Sequence, residues 1–189
     1  RDKDIKDFSI NLTDYISTNL KRKIIEFSIS KKNIKTVAKY LHVLPYLAKV
    51  KLYMNIPLEN NIPKASMLWH RDDFGYKSLD LFLAIRKIDD FNGPLHYVND
   101  NSLNNIFLQV PDEQKEKIRG ERNKHSLEHF GEFIDKNRTS TFMANEGDGL
   151  WIDSFRVYHR GGHCLKNNRF MLRLSYQTCD NTRTNDSND

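Results

Sequence analysis

Met67-Leu68-Trp69-His70-Arg71-Asp72-Asp73 is the stretch on which the reading of this chain turns. Extended backbone alternates its side chains, so Leu68, His70 and Asp72 share one face while Met67, Trp69 and Arg71 share the other. An imidazole and a carboxylate two residues apart on one face can hold a metal ion from one side. The pattern is common: in a chain with 7 His, His-x-Asp arises by chance in roughly one of every two such sequences. Its weight comes from what surrounds it.

Outward from this stretch, Val50–Leu58 and Ala65–Asp72 read as strands, separated by a polar loop with Pro57 and Pro63. Leu79–Ile85 follows, with Leu79, Leu81, Leu83 and Ile85 on one face and Asp80, Phe82, Ala84 and Arg86 on the other. Asp89-Asp90-Phe91-Asn92-Gly93-Pro94 is a turn, and Leu95-His96-Tyr97-Val98 is the returning strand. Residues 99–145 change character: they are polar and helix-prone, with Pro111-Asp112-Glu113 opening one helix and Ser126–Lys136 forming another. This segment is expected to be a helical insertion over the site, a lid more mobile than the strands. His125 and His129 are four apart, but the Glu of a zinc-protease motif is missing, since position 126 is Ser. Strands resume at 146–178, with Leu150–Asp153, Phe155–His159 and finally Arg169–Tyr176.

Upstream, residues 1–49 read as N-terminal helices, one through roughly 10–20 and one from Lys32 to Val50, kinked by Pro45. They hold most of the charge asymmetry: residues 1–51 contain 12 of the 30 Lys+Arg and 5 of the 25 Asp+Glu. The basic excess therefore lies away from the His-x-Asp stretch, and it reads first as a solvated helix face. With 189 residues, 38% hydrophobic and 29% charged, the chain has the size and composition of one globular domain, spanning 1–178, with a polar tail at 179–189. It has no membrane-length apolar run and no signal-like N-terminus. Cys164 and Cys179 build no disulfide framework, which points to the cytoplasm.

The last strand supplies the second half of the argument. Phe170, Leu172, Leu174 and Tyr176 make one apolar face, as a sheet covered by helices requires; Arg169, Met171, Arg173 and Ser175 make the other. In a closed barrel the two arginines point inward, and a buried guanidinium needs an anion. His159 lies ten residues before Arg169. His-x-Asp, a distant His and an arginine on the next strand is the order of an open-sided iron centre: two imidazoles and a carboxylate leave positions for a 2-oxo acid and O₂. An arginine nearby can hold the far carboxylate of 2-oxoglutarate. Asp73 and His163 are the competing ligands by position. His96 and Tyr97 can face substrate or solvent.

Leu68-Trp69-His70-Arg71-Asp72, Asn92-Gly93-Pro94-Leu95, Gly147-Asp148 with His159, and Arg169–Tyr176 together resemble the phytanoyl-CoA dioxygenase family of Fe(II)/2-oxoglutarate-dependent oxygenases. The resemblance covers about residues 50–178. It implies a mainly β chain with flanking helices: a double-stranded β-helix (jelly-roll) barrel with the N-terminal helices packed on one sheet. It also implies Fe(II) on His70, Asp72 and His159, and 2-oxoglutarate on Arg169, with Arg173 as the alternative anchor. Asn99-Asp100-Asn101-Ser102 replaces the Pro-Gly-Ser-His of that family, and the interval from His159 to Arg169 is slightly shorter. The expected reaction hydroxylates a small organic or acyl substrate, anionic or carrier-linked substrates included, and releases succinate and CO₂. An aspartate ligand argues against halogenation. The alternatives are a catalytically silent jelly-roll binding or regulatory module and a nucleic-acid-directed oxygenase, the latter motivated only by the N-terminal charge.

Overall fold

The computed structural model describes residues 7–59, 62–72, 78–115, 131, 133–134 and 139–178. Ten-residue and nine-residue strands near the two ends of the chain organise it: β2 (Tyr46–Asn55) and β8 (Arg169–Gln177) pair antiparallel along their lengths. With β1 (Ser9–Asn11), β3 (Ser78–Ala84) and β6 (Gly149–Ile152) they build a five-stranded sheet in the order β1-β2-β8-β3-β6. A second sheet orders β5 (Ser140–Phe142), β4 (Leu95–Tyr97) and β7 (His159–Gly161) as β5-β4-β7. The two sheets face each other as in a jelly roll. Among the described residues no hydrogen-bonded ladder joins them into a closed barrel.

The alternation in β3 and β8 decides what each face meets. Phe82, Ala84 and Met171 point inward and pack with Ile152 and with Leu95 and Ala144 from the opposite side. Leu79, Leu81, Leu172, Leu174 and Tyr176 point outward, against Val37 and Leu41 of a helix. That helix, α2 (Lys31–Leu41), follows α1 (Thr18–Ser28), which is capped by Ser17 accepting from the Leu20 amide at 3.3 Å. The Tyr176 hydroxyl donates to the Ser28 carbonyl at 2.7 Å and ties the end of α1 to the sheet. Helices thus cover one sheet, as expected.

Three local expectations need correction. The first helix lies at Thr18–Ser28 and not over 10–20, because Ser9–Asn11 is taken by pairing with Asn55–Tyr53. The second helix stops at Leu41, where His42 adopts a left-handed conformation (φ 61°). Pro45 consequently bends no helix, and the chain is free to start β2 at Tyr46. Ala65–Asp72 is not a continuous strand: Ala65–Met67 forms a 3-10 turn and only His70 makes a ladder contact. The described part of the 99–145 segment contributes to a core cluster. Ile106 of α3 (Asp100–Gln109), Val110 and Ile134 are buried with Trp69, Val98 and Tyr158. The helical turn at 112–115 follows Pro111 as read; most of Ser126–Lys136, with His125 and His129, lies outside the described residues.

Candidate metal centre

One reciprocal backbone pair builds the heart of the site. The His70 amide donates to the His159 carbonyl (3.0 Å), and the His159 amide donates back to the His70 carbonyl (2.9 Å). Residues directly opposite in an antiparallel pair project to the same side, which places the two imidazoles 4.5 Å apart, centroid to centroid. Asp72 follows on the same face and is fixed by its own amide donating to the Ser154 carbonyl at 2.8 Å.

Each ring has its outer nitrogen occupied. His70 Nδ1 lies 2.7 Å from the Leu68 carbonyl and His159 Nδ1 lies 2.9 Å from the Val157 carbonyl. A carbonyl can only accept, so both Nδ1 atoms carry the proton and each Nε2 presents a lone pair toward Asp72. His70 Nε2 stands 3.6 Å from Asp72 Oδ1, and His159 Nε2 stands 3.9 Å from Asp72 Oδ2. Bonds of about 2.1 Å to one ion put ligand atoms roughly 3–3.5 Å apart, so a small inward shift suffices. Among the described residues this is the one His/Cys/Asp/Glu group whose donor atoms lie close enough, all within 4.8 Å, to hold a metal ion.

The electrostatics suit a cation. Burial pushes the His159 imidazole below its ordinary value and keeps it neutral. Burial also pushes the Asp72 carboxyl up, but the Arg173 guanidinium and the two imidazoles outweigh it and hold the group well below the usual carboxylate range. The donor set, two neutral imidazoles and one carboxylate on one side, is the set that Fe(II) takes in open-sided centres.

Arg169 and Arg173 both line the cavity that holds the three ligand candidates, and they stand in different states. Arg169 is buried; its Nε and Nη2 both reach Asn55 Oδ1, at 3.3 and 2.9 Å, while Nη1 is buried with no partner. Arg173 is engaged: its Nη2 donates to Asp72 Oδ2 at 2.5 Å and to Asp80 Oδ2 at 2.7 Å. Lys51 and Tyr53 of β2 complete that wall.

The other residues singled out in the sequence fall outside the group. His163 is half-buried after Gly162 and does not join the cluster. His96 Nδ1 sits 3.4 Å from Thr141 Oγ1, away from the cavity, and Tyr97 packs into the core between the sheets. Cys164 is buried and donates its Sγ–H to the Asn92 carbonyl at 3.2 Å. Trp69 points away from the imidazoles into a core cluster, with the Arg160 guanidinium 4.8 Å over its ring. Asp73 and Cys179 lie outside the described residues. Sequence reasoning missed Asn55, Asp80 and Ser154. Only Asp80 carried a signal, a carboxylate on the inward phase of an apolar strand.

No protein-family model matches the sequence, and no curated protein matches it. Solved structures do resemble the fold. AviO1 from Streptomyces viridochromogenes Tue57 is 14% identical with a TM-score of 0.58, covering 91% of this chain and 67% of its own. The epimerase SnoN, solved with Fe³⁺, α-ketoglutarate and nogalamycin RO, is 14% identical with a TM-score of 0.59, covering 89% of this chain and 62% of its own. EctD from S. alaskensis, solved with 2-oxoglutarate and 5-hydroxyectoine, is 14% identical with a TM-score of 0.56, covering 90% and 56%. The chain thus has the fold of non-haem, α-ketoglutarate-dependent enzymes, and it spans between about a third and two thirds of the length of the structures it matches.

Proposed function

We propose that this protein is an Fe(II)/2-oxoglutarate-dependent oxygenase of the phytanoyl-CoA dioxygenase type, acting on a small organic or acyl substrate. One observation carries the reading: the buried His70–Asp72–His159 group opens onto the same cavity as an arginine with an unused, buried Nη1. A guanidinium in that state has lost water without gaining a full set of partners, and a carboxylate is the group that completes it. His70, Asp72 and His159 hold the iron; Arg169, oriented by Asn55, takes the far carboxylate of 2-oxoglutarate. When bound, the iron and its co-substrate supply the oxidising chemistry that consumes O₂ and converts 2-oxoglutarate to succinate and CO₂.

The chain's own residues orient and exclude. The backbone carbonyls of Leu68 and Val157 keep both Nε2 atoms free of protons. The two facing sheets shield the centre from bulk water, and Lys51 and Tyr53 line the same cavity as the imidazoles. Hydroxylation is the expected outcome.

A silent jelly-roll module is the second reading, favoured by one observation: Arg173 already neutralises Asp72. Anaerobic titration of the purified protein with Fe(II) and then 2-oxoglutarate separates the two, followed by a substrate screen that measures succinate. Stoichiometric uptake of both, with succinate formed on admitting O₂, supports the oxygenase. Failure to bind iron refutes it.

A further inference from the structure

Arg173 and its neighbours form a closed chain of contacts that the proposed reaction does not by itself require. Arg173 Nη2 reaches Asp72 Oδ2, Asp80 Oδ2 and, at 3.3 Å, Ser154 Oγ. Ser154 Oγ donates to the same Asp80 oxygen. The Phe82 ring lies 5.1 Å from the guanidinium carbon and closes the remaining side. Asp80 is 1% exposed and Ser154 is equally buried, so neither can move without disturbing the sheet. Register enforces the arrangement: Asp80 of β3 pairs with Ser175 of β8, and Phe82 pairs with Arg173 itself.

The consequence falls on Asp72. Its Oδ2 is held by Arg173, while Oδ1 faces His70 Nε2. A carboxylate free on both oxygens can close on an ion with two arms and take up a coordination position; one oxygen tied to a fixed guanidinium prevents that. Asp80 in turn shares the guanidinium, so the pull on Asp72 is only part of what an unshared arginine exerts.

We infer that Arg173 is a positioning residue that limits Asp72 to one-armed ligation, and that Asp80 with Ser154 tunes how strongly it does so. This rests on the metal-centre reading above. Two buried carboxylates against one guanidinium leave a net negative charge, so the two simplest substitutions have opposite signs. Arg173→Gln leaves both carboxylates uncompensated and strengthens cation binding. Asp80→Asn keeps a hydrogen-bond acceptor but turns the whole guanidinium charge onto Asp72, and weakens it. A residue that mattered only to the fold would weaken binding in both.

The test is Co(II) titration of the purified wild type, Arg173→Gln, Arg173→Lys and Asp80→Asn, by equilibrium dialysis and by visible absorption of the bound cobalt. An opposite charge within hydrogen-bond distance alters a carboxylate's affinity for a cation by about tenfold or more. Arg173→Gln is expected to bind Co(II) about tenfold more tightly, with weaker visible bands as the second carboxylate oxygen joins the ion. Asp80→Asn is expected to bind several-fold more weakly with the wild-type spectrum. Arg173→Lys keeps the charge, and one ammonium can make the two contacts that Nη2 alone makes, so affinity and spectrum both return toward wild type. Asp80→Asn retains the Arg173–Asp72 pair, so it reports even if Arg173→Gln does not fold. Shifts of the same sign in Arg173→Gln and Asp80→Asn, or no shift in Asp80→Asn, overturn the inference. No cobalt uptake by the wild type overturns the metal centre itself, and this inference with it.

Discussion

Replacing Arg169 by Ala removes the group on which co-substrate binding is proposed to depend, and the size of the effect follows from its contacts. The side chain is buried, Nε and Nη2 are spent on the single oxygen of Asn55, and Nη1 has no partner. A carboxylate arriving at Nη1 gains one or two charge-assisted hydrogen bonds, each worth about 1.5–3 kcal/mol. Roughly 3–4 kcal/mol is therefore lost on truncation, a 10²–10³-fold weaker dissociation constant at about 1.4 kcal/mol per decade. Arg169→Lys restores charge without the planar fork and should recover about tenfold of that. Iron or cobalt uptake should be unchanged in both variants, because Arg169 touches none of the three ligand candidates. Truncation also strands the buried Asn55 oxygen at a cost of about 1–3 kcal/mol, so thermal melts accompany the assay. The assay is anaerobic titration of 2-oxoglutarate into the metal-loaded protein. An Arg169→Ala protein that is folded, loaded with metal and within threefold of wild type in 2-oxoglutarate affinity refutes the reasoning.

Three further outcomes are expected. Gly93 has φ +67°, and an added Cβ would lie 2.5 Å from the Gly162 carbonyl oxygen; Gly93→Ala should cost about 2–4 kcal/mol through strain and overlap together, read from urea unfolding. Burial and a 2.7 Å bond to Asp153 push the Tyr40 hydroxyl up to about 12. A raised folded value favours the protonated state, so this contribution is complete below pH 10 and disappears as pH rises through 12; Tyr40→Phe should flatten the alkaline fall in urea midpoint between those limits, leaving the part due to Tyr53, Tyr158 and Tyr176, whose hydroxyls burial also pushes up. Ile106 is fully buried beneath Trp69, and Ile106→Ala should lower stability by about 2–5 kcal/mol; a loss below about 0.5 kcal/mol would show that α3 is a loosely attached cover.

Much of this protein was legible from residue order because strand alternation is a local property. Period 2 alone put Leu172, Leu174 and Tyr176 opposite Arg169 and Arg173, and Leu79 and Leu81 opposite Asp80 and Phe82. The structure keeps every one of those partitions. It also puts His70 and Asp72 on one face, although the segment is a 3-10 turn and a single bridge and not the continuous strand that the alternation suggested. Element ends were less legible. The helix pattern of Ile34, Val37 and Leu41 runs on smoothly into Leu44, and nothing local says that β8 will claim the chain from Tyr46 onward.

What only the tertiary structure decided is which partners each of the two arginines meets. They share a strand, a face and a chemistry, so residues 169–176 by themselves do not say which side chains each will meet. Their partners come from far along the chain: Asn55 stands opposite Arg169 because β2 pairs with β8 in that register, and Asp72, Asp80 and Ser154 converge on Arg173 through β3 and the His70–His159 bridge. One guanidinium spends its Nη2 on two carboxylates and leaves Nε buried without a partner; the other meets only an amide oxygen and leaves Nη1 buried without one. That difference arises from strand register, a long-range packing outcome set by which hydrophobic faces must be buried together.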